Sequence, residues 1–308
     1  MKVTTDTVHD VIKHHFGKAP KEVRELSGGF ANFVYEADVD GDTYIIRIAD
    51  EQVRLQFFIK EQWAVAKVRE MKVPVPEILE VANEASTFPY MIVKRIDGRP
   101  ANQAVLEERL AVIHEMGKYT ALINSTATSG FGHIFDWSSN QLSRKETWKD
   151  YLEKELEMEK RLAIFERHKI LNEEGMAKLR AGLKEIETWS GKPTLNHGDM
   201  RLKNILLNEK GKICAILDWE SCVSSIAPQW DLSVALHDLS IDEKDAFIDG
   251  YGLSPKEYRN RAYGIKVLNI INYAPFVEMA QEAKEEKRKV LIEDMKTRLR
   301  GDFDLYSL

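Results

Sequence analysis

The spacing of apolar residues changes once along the chain, and this change predicts two parts with different secondary structure. In several segments of residues 23–96 apolar and polar positions alternate, as in FVYEADV, TYIIRIA and YMIVKRI, which predicts β-strands. The pair Asp40-Gly41 between the first two segments is typical of a hairpin turn. Residues 57–71 have apolar positions at helical spacing, and Pro74 prevents that helix from continuing.

Helical spacing dominates from about Ala101 onward. The longest helical segments are LEERLAVIHEMGKYTALIN, WKDYLEKELEMEKRLAIFERHKIL, EEGMAKLRAGLKEIETWS and the charged residues 277–300. We therefore expect an α+β protein of two lobes. Residues 1–97 would form a small, mainly antiparallel β lobe, and residues 98–308 a larger, mainly helical lobe, with the boundary at the turn residues near Asp97.

Composition limits the partners. The chain of 308 residues has a net charge of −6, with basic residues spread along it, so we expect no nucleic-acid partner. No segment approaches the ~18–20 consecutive apolar residues that span a bilayer, so we expect no membrane partner. Cys214 and Cys222 do not have a zinc or redox spacing, which favours a cytoplasmic protein.

The segment NHGDMRLKNILLNEKGKICAILDWE contains the most informative polar residues. Two apolar runs flank a turn with Gly211, which predicts a hairpin. If Gly211 is the centre of the turn, Asn204 pairs with Asp218, so an amide and a carboxylate oxygen lie together where they could bind Mg²⁺. Asp199 precedes Asn204 by five residues and brings a second carboxylate. Phosphoryl transfer requires such a set.

The His-Gly-Asp-x4-Asn pattern followed by Asp-Trp resembles the corresponding segments of aminoglycoside phosphotransferases, which share the protein-kinase-like fold. The segments SGFG and YIIR resemble the hygromycin phosphotransferase branch. The resemblance implies that Asp199 is the catalytic base, that Asn204 and Asp218 bind Mg²⁺, and that His197 is structural. It also implies that Asp231, in a Pro-x-x-Asp-Leu segment, braces the catalytic loop.

The same resemblance implies nucleotide-binding residues in the first lobe. They comprise a glycine loop, a phosphate-binding arginine with its acidic partner, and a hinge whose backbone pairs with adenine: Ser27, Gly28, Gly29, Asn32, Arg47, Glu61, Lys94 and Ile96. Arg47 stands where kinases have a lysine. Arginine keeps the charge and can bind phosphate through two N–H groups, so the charge role is retained with a different geometry.

These residues predict a small-molecule kinase that transfers the γ-phosphate of ATP or GTP to a hydroxyl of an aminoglycoside-like or other acceptor. The alternative is a non-catalytic nucleotide-binding regulatory protein that retains the fold, which the substitution at Arg47 and the reduced glycine loop favour. A protein kinase is a third possibility, but the sequence lacks a clear Asp-Phe-Gly to Ala-Pro-Glu segment. The nucleotide, the acceptor and the oligomeric state stay open.

Two sets of residues bear on the acceptor. One is acidic and would suit a cationic acceptor, although surface acids are common in an acidic protein: Glu220, Asp238, Asp242, Glu278 and Glu282. The other is aromatic and would line an apolar pocket, although such residues are usually part of a core: Trp230, Tyr273 and Phe276.

Overall fold

The computed structural model describes residues 3–26, 32–132, 145–282, 289–290 and 292–293. Its β-strands are β1 (Glu22–Leu26), β2 (Phe33–Val39), β3 (Asp42–Ile48), β4 (Ile78–Ala82), β5 (Tyr90–Lys94), β6 (Arg99–Pro100), β7 (Thr194–Asn196), β8 (Ile205–Leu207), β9 (Ile213–Ile216) and β10 (Val223–Ser225). Its α-helices are α1 (Thr5–Phe16), α2 (Arg54–Glu70), α3 (Leu106–Asn124), α4 (Trp148–Lys154), α5 (Met158–Arg167), α6 (Glu173–Glu187), α7 (Gln229–Ala235), α8 (Ile241–Tyr251), α9 (Pro255–Asn272) and α10 (Ala274–Glu282).

The chain packs into two compact units, each built from more than one segment. The first contains the described parts of residues 1–104 and 202–222. The second contains the described parts of residues 105–133, 144–201 and 223–308. The hairpin segment 202–222 thus packs with the N-terminal residues, and the division into lobes 1–97 and 98–308 stays a prediction.

A five-stranded antiparallel sheet in the order β1-β2-β3-β5-β4 forms the centre of the first unit. Alternate residues of β3 face opposite sides. Ile46 and Ile48 are fully buried in the core cluster that also contains Val8 and Ile12 of α1. Arg47, between them in sequence, therefore points to the opposite side, where it contacts Glu61 of α2.

The alternation in the sequence predicts β2, β3 and β5 of this sheet to within a few residues. The segment FVYEADV coincides with β2, and TYIIRIA and YMIVKRI contain most of β3 and β5. The helix predicted for residues 57–71 is α2, which begins three residues earlier, at Arg54. Helix α1 and strand β4 were not predicted.

A small sheet in the order β6-β8-β9 completes the first unit, and here the predicted register is wrong. Ile205 pairs with Ile216, so the residue facing Asn204 is Leu217 rather than Asp218, and the Leu217 N–H donates to the Asn204 carbonyl oxygen at 2.7 Å. The turn runs from Asn208 to Lys212, whose backbones are bonded to each other at 2.9 Å, and the pairing shifts between Leu206 and Leu207.

The second unit is mainly helical, with two short strands, β7 and β10, paired antiparallel. Helix α3 has the bounds that the sequence predicts. The long helix predicted from Trp148 is instead two helices, α4 and α5, because Glu157 adopts a left-handed backbone with φ of 49°. No glycine or proline marks this break in the sequence. In the described part of the chain every helix is too short or too polar to cross a bilayer.

Two glycines allow α3 and α8 to pack at backbone distance. A Cβ atom added at Gly117 would lie 2.2 Å from the carbonyl oxygen of Phe247 on α8. A Cβ atom added at Gly250 would lie 2.0 Å from the carbonyl oxygen of His114 on α3. Both distances are far below van der Waals contact, so a side chain at either position requires the helices to separate.

We expect Gly250→Ala to lower the free energy of unfolding by about 2 kcal/mol or more, because overpacking of this kind strains the backbone. The gain of alanine in helix propensity, about 1 kcal/mol, offsets only part of the clash. Urea denaturation measures the change. The matched control is Gly191→Ala, whose Cβ would lie 3.8 Å from Ile226, an ordinary contact. Equal midpoints for the two variants would contradict the close helix contact.

Candidate functional site

The first unit holds Arg47 against Glu61 on the side of the sheet that faces α2. Nη1 of Arg47 donates to Oε2 of Glu61 at 2.6 Å, and both side chains are largely buried. The ring of Phe58 lies 5.4 Å from the guanidinium carbon of Arg47. The structure thus brings together the two residues that the sequence pairs, and their role toward a nucleotide stays a prediction.

The charge of Arg47 is stabilised by several carboxylates. Burial works against the charged guanidinium, but Glu61, then Glu220 and Asp218, outweigh it and raise the pKa of Arg47 above its ordinary value. Asp218 thus contributes, after Glu61 and Glu220, to the negative charge that favours the charged form of Arg47. A fixed cation and a candidate metal-binding carboxylate consequently lie together in one unit.

Glu220 also belongs to this cluster. Its carboxylate binds Nη2 of Arg47 at 3.4 Å and Nη1 of Arg54 at 2.6 Å. Its backbone carbonyl accepts from the buried ammonium of Lys60 at 2.8 Å. Two guanidinium groups already bind the carboxylate of Glu220, so a cationic acceptor would compete with them there, and the suggested role of Glu220 toward such an acceptor stays a prediction.

Asn204 and Asp218 lie at the open end of the hairpin β8–β9. Asn204 is buried, and its backbone carbonyl oxygen accepts a hydrogen bond from the Leu217 N–H. Asp218 follows Leu217 in the chain and has a left-handed backbone with φ of 63°. Asparagine and aspartate supply hard oxygen ligands, and Mg²⁺ typically takes one or two protein oxygens together with phosphates and waters. In the described residues no group of three or more His, Cys, Asp or Glu could hold a metal ion. The pair fits a magnesium ion that a nucleotide's phosphates help to hold.

The hinge residues differ in their availability. The Lys94 N–H donates to the carbonyl oxygen of Glu77 at 2.8 Å, so this N–H is engaged within the first unit, and pairing of the Lys94 and Ile96 backbone with adenine stays a prediction. Ile96 follows the end of β5 and is half-buried. A cavity of about 570 Å³ lies beyond it, lined by Asp97, Gly98, Arg99, Leu207, Asn208, Glu209 and Lys210. It lies at the turn end of the hairpin, opposite to Asn204 and Asp218.

The glycine loop falls mostly outside the described residues. Ser27, Gly28 and Gly29 are not described, so their contribution to a phosphate site stays a prediction. Asn32 is described, and its Nδ2 donates to the carboxylate of Glu220 at 3.2 Å. Asn32 therefore joins the same cluster as Arg47.

In the second unit, Asp199 lies in the loop after β7. Its carboxylate is 3.1 Å from Nε of Arg201, whose Nη1 lies 3.7 Å from Asp238. Its backbone N–H donates to Nδ1 of the fully buried His197 at 3.2 Å. Arg201 is thus an ion-pair partner of the Asp199 side chain, and His197 accepts a hydrogen bond from the Asp199 backbone.

Asp231 braces this loop, as predicted. Its fully buried carboxylate accepts from the backbone N–H groups of His197 at 3.0 Å and Gly198 at 2.8 Å, and from Nδ2 of Asn124 at 2.8 Å. Burial raises the pKa of Asp231, and the Gly198 and His197 N–H groups oppose the rise. Tyr251 of α8 donates to Oδ1 of Asn124 at 3.0 Å, which extends the network.

The three aromatic residues proposed for an apolar pocket have different environments. Trp230 is part of the buried core of the second unit. The ring of Tyr273 is tilted by 42° against that of His237, with centroids 4.7 Å apart, and Phe276 is 49% exposed. Trp230 is thus a core residue, Tyr273 packs partly against that core, and a role of Tyr273 and Phe276 toward an acceptor stays a prediction.

Sequence reasoning missed Arg54 and Lys60. Neither residue belongs to a motif. Both lie on α2, the helix that follows β3 in the chain, and the sequence pattern of that helix predicts only which positions are apolar. Lys60 is 1% exposed, which is rare for lysine, and the buried carbonyls of Glu220 and Cys222 that it binds are not visible in the sequence.

Comparison with known proteins identifies the family. The profile of the phosphotransferase enzyme family matches residues 22–264. The chain belongs to this family. The phosphotransferase-family chain is 23% identical over 217 residues to hygromycin-B 4-O-kinase from Escherichia coli. This match covers 66% of the chain and 58% of that relative's length.

Solved structures show the fold of this phosphotransferase-family chain. Aminoglycoside phosphotransferase APH(4)-Ia superposes with a TM-score of 0.66 at 18% identity, over 96% of this chain and 99% of that one. The GDP and kanamycin complex of APH(2")-IIia superposes with a TM-score of 0.68 at 14% identity, over 97% of this chain and 98% of that one. A putative fructosamine-3-kinase from Haemophilus somnus superposes with a TM-score of 0.65 at 13% identity, over 96% of this chain and 97% of that one. The predicted α+β, protein-kinase-like fold and the resemblance to aminoglycoside phosphotransferases are confirmed.

Proposed function

We propose that this protein is a cytoplasmic, Mg²⁺-dependent kinase that transfers the γ-phosphate of ATP or GTP to a hydroxyl of an aminoglycoside-like or other small-molecule acceptor. The observation that carries the proposal is the cluster in the first unit. There Arg47, a buried cation bound to Glu61, also contacts Glu220, which follows the candidate metal ligand Asp218 by two residues. A cation and hard oxygen ligands in one unit are what a metal-bound polyphosphate requires.

The relatives support the choice of ligands. APH(4)-Ia has been solved as a ternary complex with AMP-PNP and hygromycin B. APH(2")-IIia has been solved with GDP and kanamycin. These ligands combine a nucleotide with a polyhydroxylated antibiotic, and we extend that combination to this chain. Cys214 and Cys222 are both free thiols, which supports a reducing compartment such as the cytoplasm.

Each residue has a defined task in the proposed reaction. Asp199 accepts the proton of the attacking hydroxyl, and Arg201 orients its carboxylate. Asn204 and Asp218 would hold Mg²⁺, which supplies neutralisation of phosphate charge when bound. Arg47 binds a phosphate oxygen and Glu61 fixes the direction of its guanidinium.

Thermal unfolding with ATP or GTP, each with and without Mg²⁺, tests the nucleotide part of the proposal. A ligand at 100 times its Kd stabilises a protein by about 2.7 kcal/mol. We expect a Mg²⁺-dependent rise in the midpoint of about 5 °C or more for the preferred nucleotide. No shift with either nucleotide in a folded sample would contradict the proposal.

Release of ADP or GDP in the presence of hydroxyl acceptors tests the catalytic part. Hygromycin B, kanamycin and simple sugars are suitable first probes, with the Asp199→Asn variant as control for spontaneous hydrolysis. We expect at least one acceptor to raise release above the level without acceptor. Nucleotide binding without release for any acceptor class would instead support the non-catalytic alternative.

A further inference from the structure

Three donors of the first unit converge on one carboxylate, that of Glu220. Arg54 donates to its Oε1 at 2.6 Å, and on Oε2 the distances are 3.4 Å from Arg47 and 3.2 Å from Asn32. Two guanidinium groups and an amide thus surround a single anionic group. Because guanidinium groups match the oxygens of carboxylate and phosphate equally well, this arrangement is an anion-binding site that contains a protein carboxylate.

The backbone of Glu220 is held independently of its side chain. Nζ of Lys60, itself almost completely buried, donates to the carbonyl oxygens of Glu220 and Cys222, both at 2.8 Å. The ring of Phe57 lies beneath the cations of Arg54 and Lys60, at 5.1 Å and 5.2 Å from its centroid. The carboxylate can therefore leave the two guanidinium groups by side-chain rotation alone, without movement of the backbone.

The site is accessible to a ligand. The side chains of Arg47, Arg54 and Glu220 are 16%, 26% and 23% exposed, so the guanidinium groups are partly buried but reachable from solvent. Arg47 already has a second carboxylate, Glu61, whereas the ion pair of Arg54 is with Glu220. A polyphosphate that binds Arg47 would compete with the carboxylate of Glu220 for the same guanidinium N–H groups. Two anions bound next to each other there would repel each other.

We propose that Arg54 is a phosphate-binding residue and that Glu220 is its resident counterion, which the polyphosphate of a nucleotide displaces. This inference rests on the proposed nucleotide site. The inference adds the guanidinium of Arg54 to that of Arg47 in the phosphate site. Arg54 then raises the affinity for polyphosphate, whereas Glu220 lowers it because its carboxylate competes with the ligand. Neutralising Arg54 and neutralising Glu220 should therefore change the affinity for polyphosphate in opposite directions, although the two residues form one ion pair.

The test measures binding of inorganic triphosphate, ATP and adenosine by isothermal calorimetry in EDTA, so that metal coordination does not contribute. We expect Arg54→Gln to weaken triphosphate binding about tenfold or more and adenosine binding less than twofold. We expect Glu220→Gln, which keeps the side-chain size and removes the charge, to strengthen triphosphate binding about fivefold. The matched control is Arg24→Gln, because Arg24 is an exposed arginine of β1 paired with Glu36.

Thermal midpoints of all variants without ligand confirm that each is folded, and Arg54→Lys replaces Arg54→Gln if the latter is not. A purely structural ion pair would lower the midpoints and leave the ratio of triphosphate to adenosine affinity unchanged, which overturns the inference. Weaker triphosphate binding by Glu220→Gln also overturns it.

The outcomes separate this inference from the proposed function. ATP binding that Arg54→Gln leaves unchanged keeps the kinase and overturns the phosphate role of Arg54. Triphosphate binding that follows the expected pattern, without nucleotide specificity or phosphoryl transfer, keeps the anion site and rejects the kinase. A folded wild type that binds neither triphosphate nor ATP overturns both.

Discussion

Asp199→Asn is expected to lower kcat by a factor of about 10²–10⁴, the range that a positioned general base contributes. Asparagine has the same shape but cannot accept the proton of an acceptor hydroxyl. Its side-chain oxygen can still contact Nε of Arg201, which in aspartate lies at 3.1 Å. Nucleotide affinity should stay within about threefold, because the cation and the candidate metal ligands belong to the other unit. Steady-state kinetics and calorimetry measure the two quantities.

The matched control for this variant is Asp238→Asn, which removes the other carboxylate near Arg201, at 3.7 Å. It tests whether loss of charge around Arg201 is sufficient to stop the reaction. We expect a reduction of less than about tenfold, since Asp238 does not take the proton. Equal losses in the two variants would show that Asp199 acts through Arg201 rather than as the base.

Asp218→Asn is expected to abolish the Mg²⁺-dependent part of nucleotide binding. The substitution removes a charged oxygen ligand, whereas Asn204 alone cannot hold a hydrated divalent cation. Asparagine is preferable to alanine here because the backbone of residue 218 is left-handed, with φ of 63°, and asparagine tolerates this conformation better. The Mg²⁺-dependent shift of the thermal midpoint with ATP or GTP is the direct measurement.

A control for the metal site is Asp97→Asn, in the same unit but on a side chain that is 94% exposed. This variant should keep the full Mg²⁺-dependent shift. If Asp218→Asn also kept it, Mg²⁺ would bind elsewhere and the assignment of Asn204 and Asp218 would have to be abandoned.

Local patterns predict the main elements because they report burial directly. Strand β2 and helix α3 follow the predicted bounds, since each has a face that must be apolar. The break between α4 and α5 was not predicted. It depends on the left-handed backbone of Glu157, an unfavourable conformation that only the surrounding packing determines.

The hairpin β8–β9 shows why a sequence motif identifies residues more reliably than it predicts their pairing in space. The sequence identifies Asn204 and Asp218, but the assumption that Gly211 is the centre of the turn shifts the register by one residue. The side chain of Asn208 decides the turn, because its Oδ1 accepts from the N–H groups of Lys210 and Lys212. Such a side-chain bond extends the loop to Lys212, and the bulge at Leu206 and Leu207 follows from it.

Residues that act through tertiary contacts were beyond sequence reasoning. Lys60, Arg54 and Glu220 have no distinctive spacing, and the sequence left Glu220 open as an acid toward a cationic acceptor or as one of the surface acids common in an acidic chain. Only the packing of α2 against the segment after Asp218 reveals that it is an internal counterion.

The buried network around Asp231 has a consequence for how the protein can change. The position of Asp199 depends on Asp231, Asn124 and two backbone N–H groups, none of which is on the exposed surface. Exposed residues such as Phe276 on α10 have no part in this network. Under the proposed function, substitutions on that surface would leave the network that positions the candidate base Asp199 unchanged. Under the same proposal, libraries that search for new acceptors can vary the exposed residues of α10 and keep Asn124 and Asp231 constant.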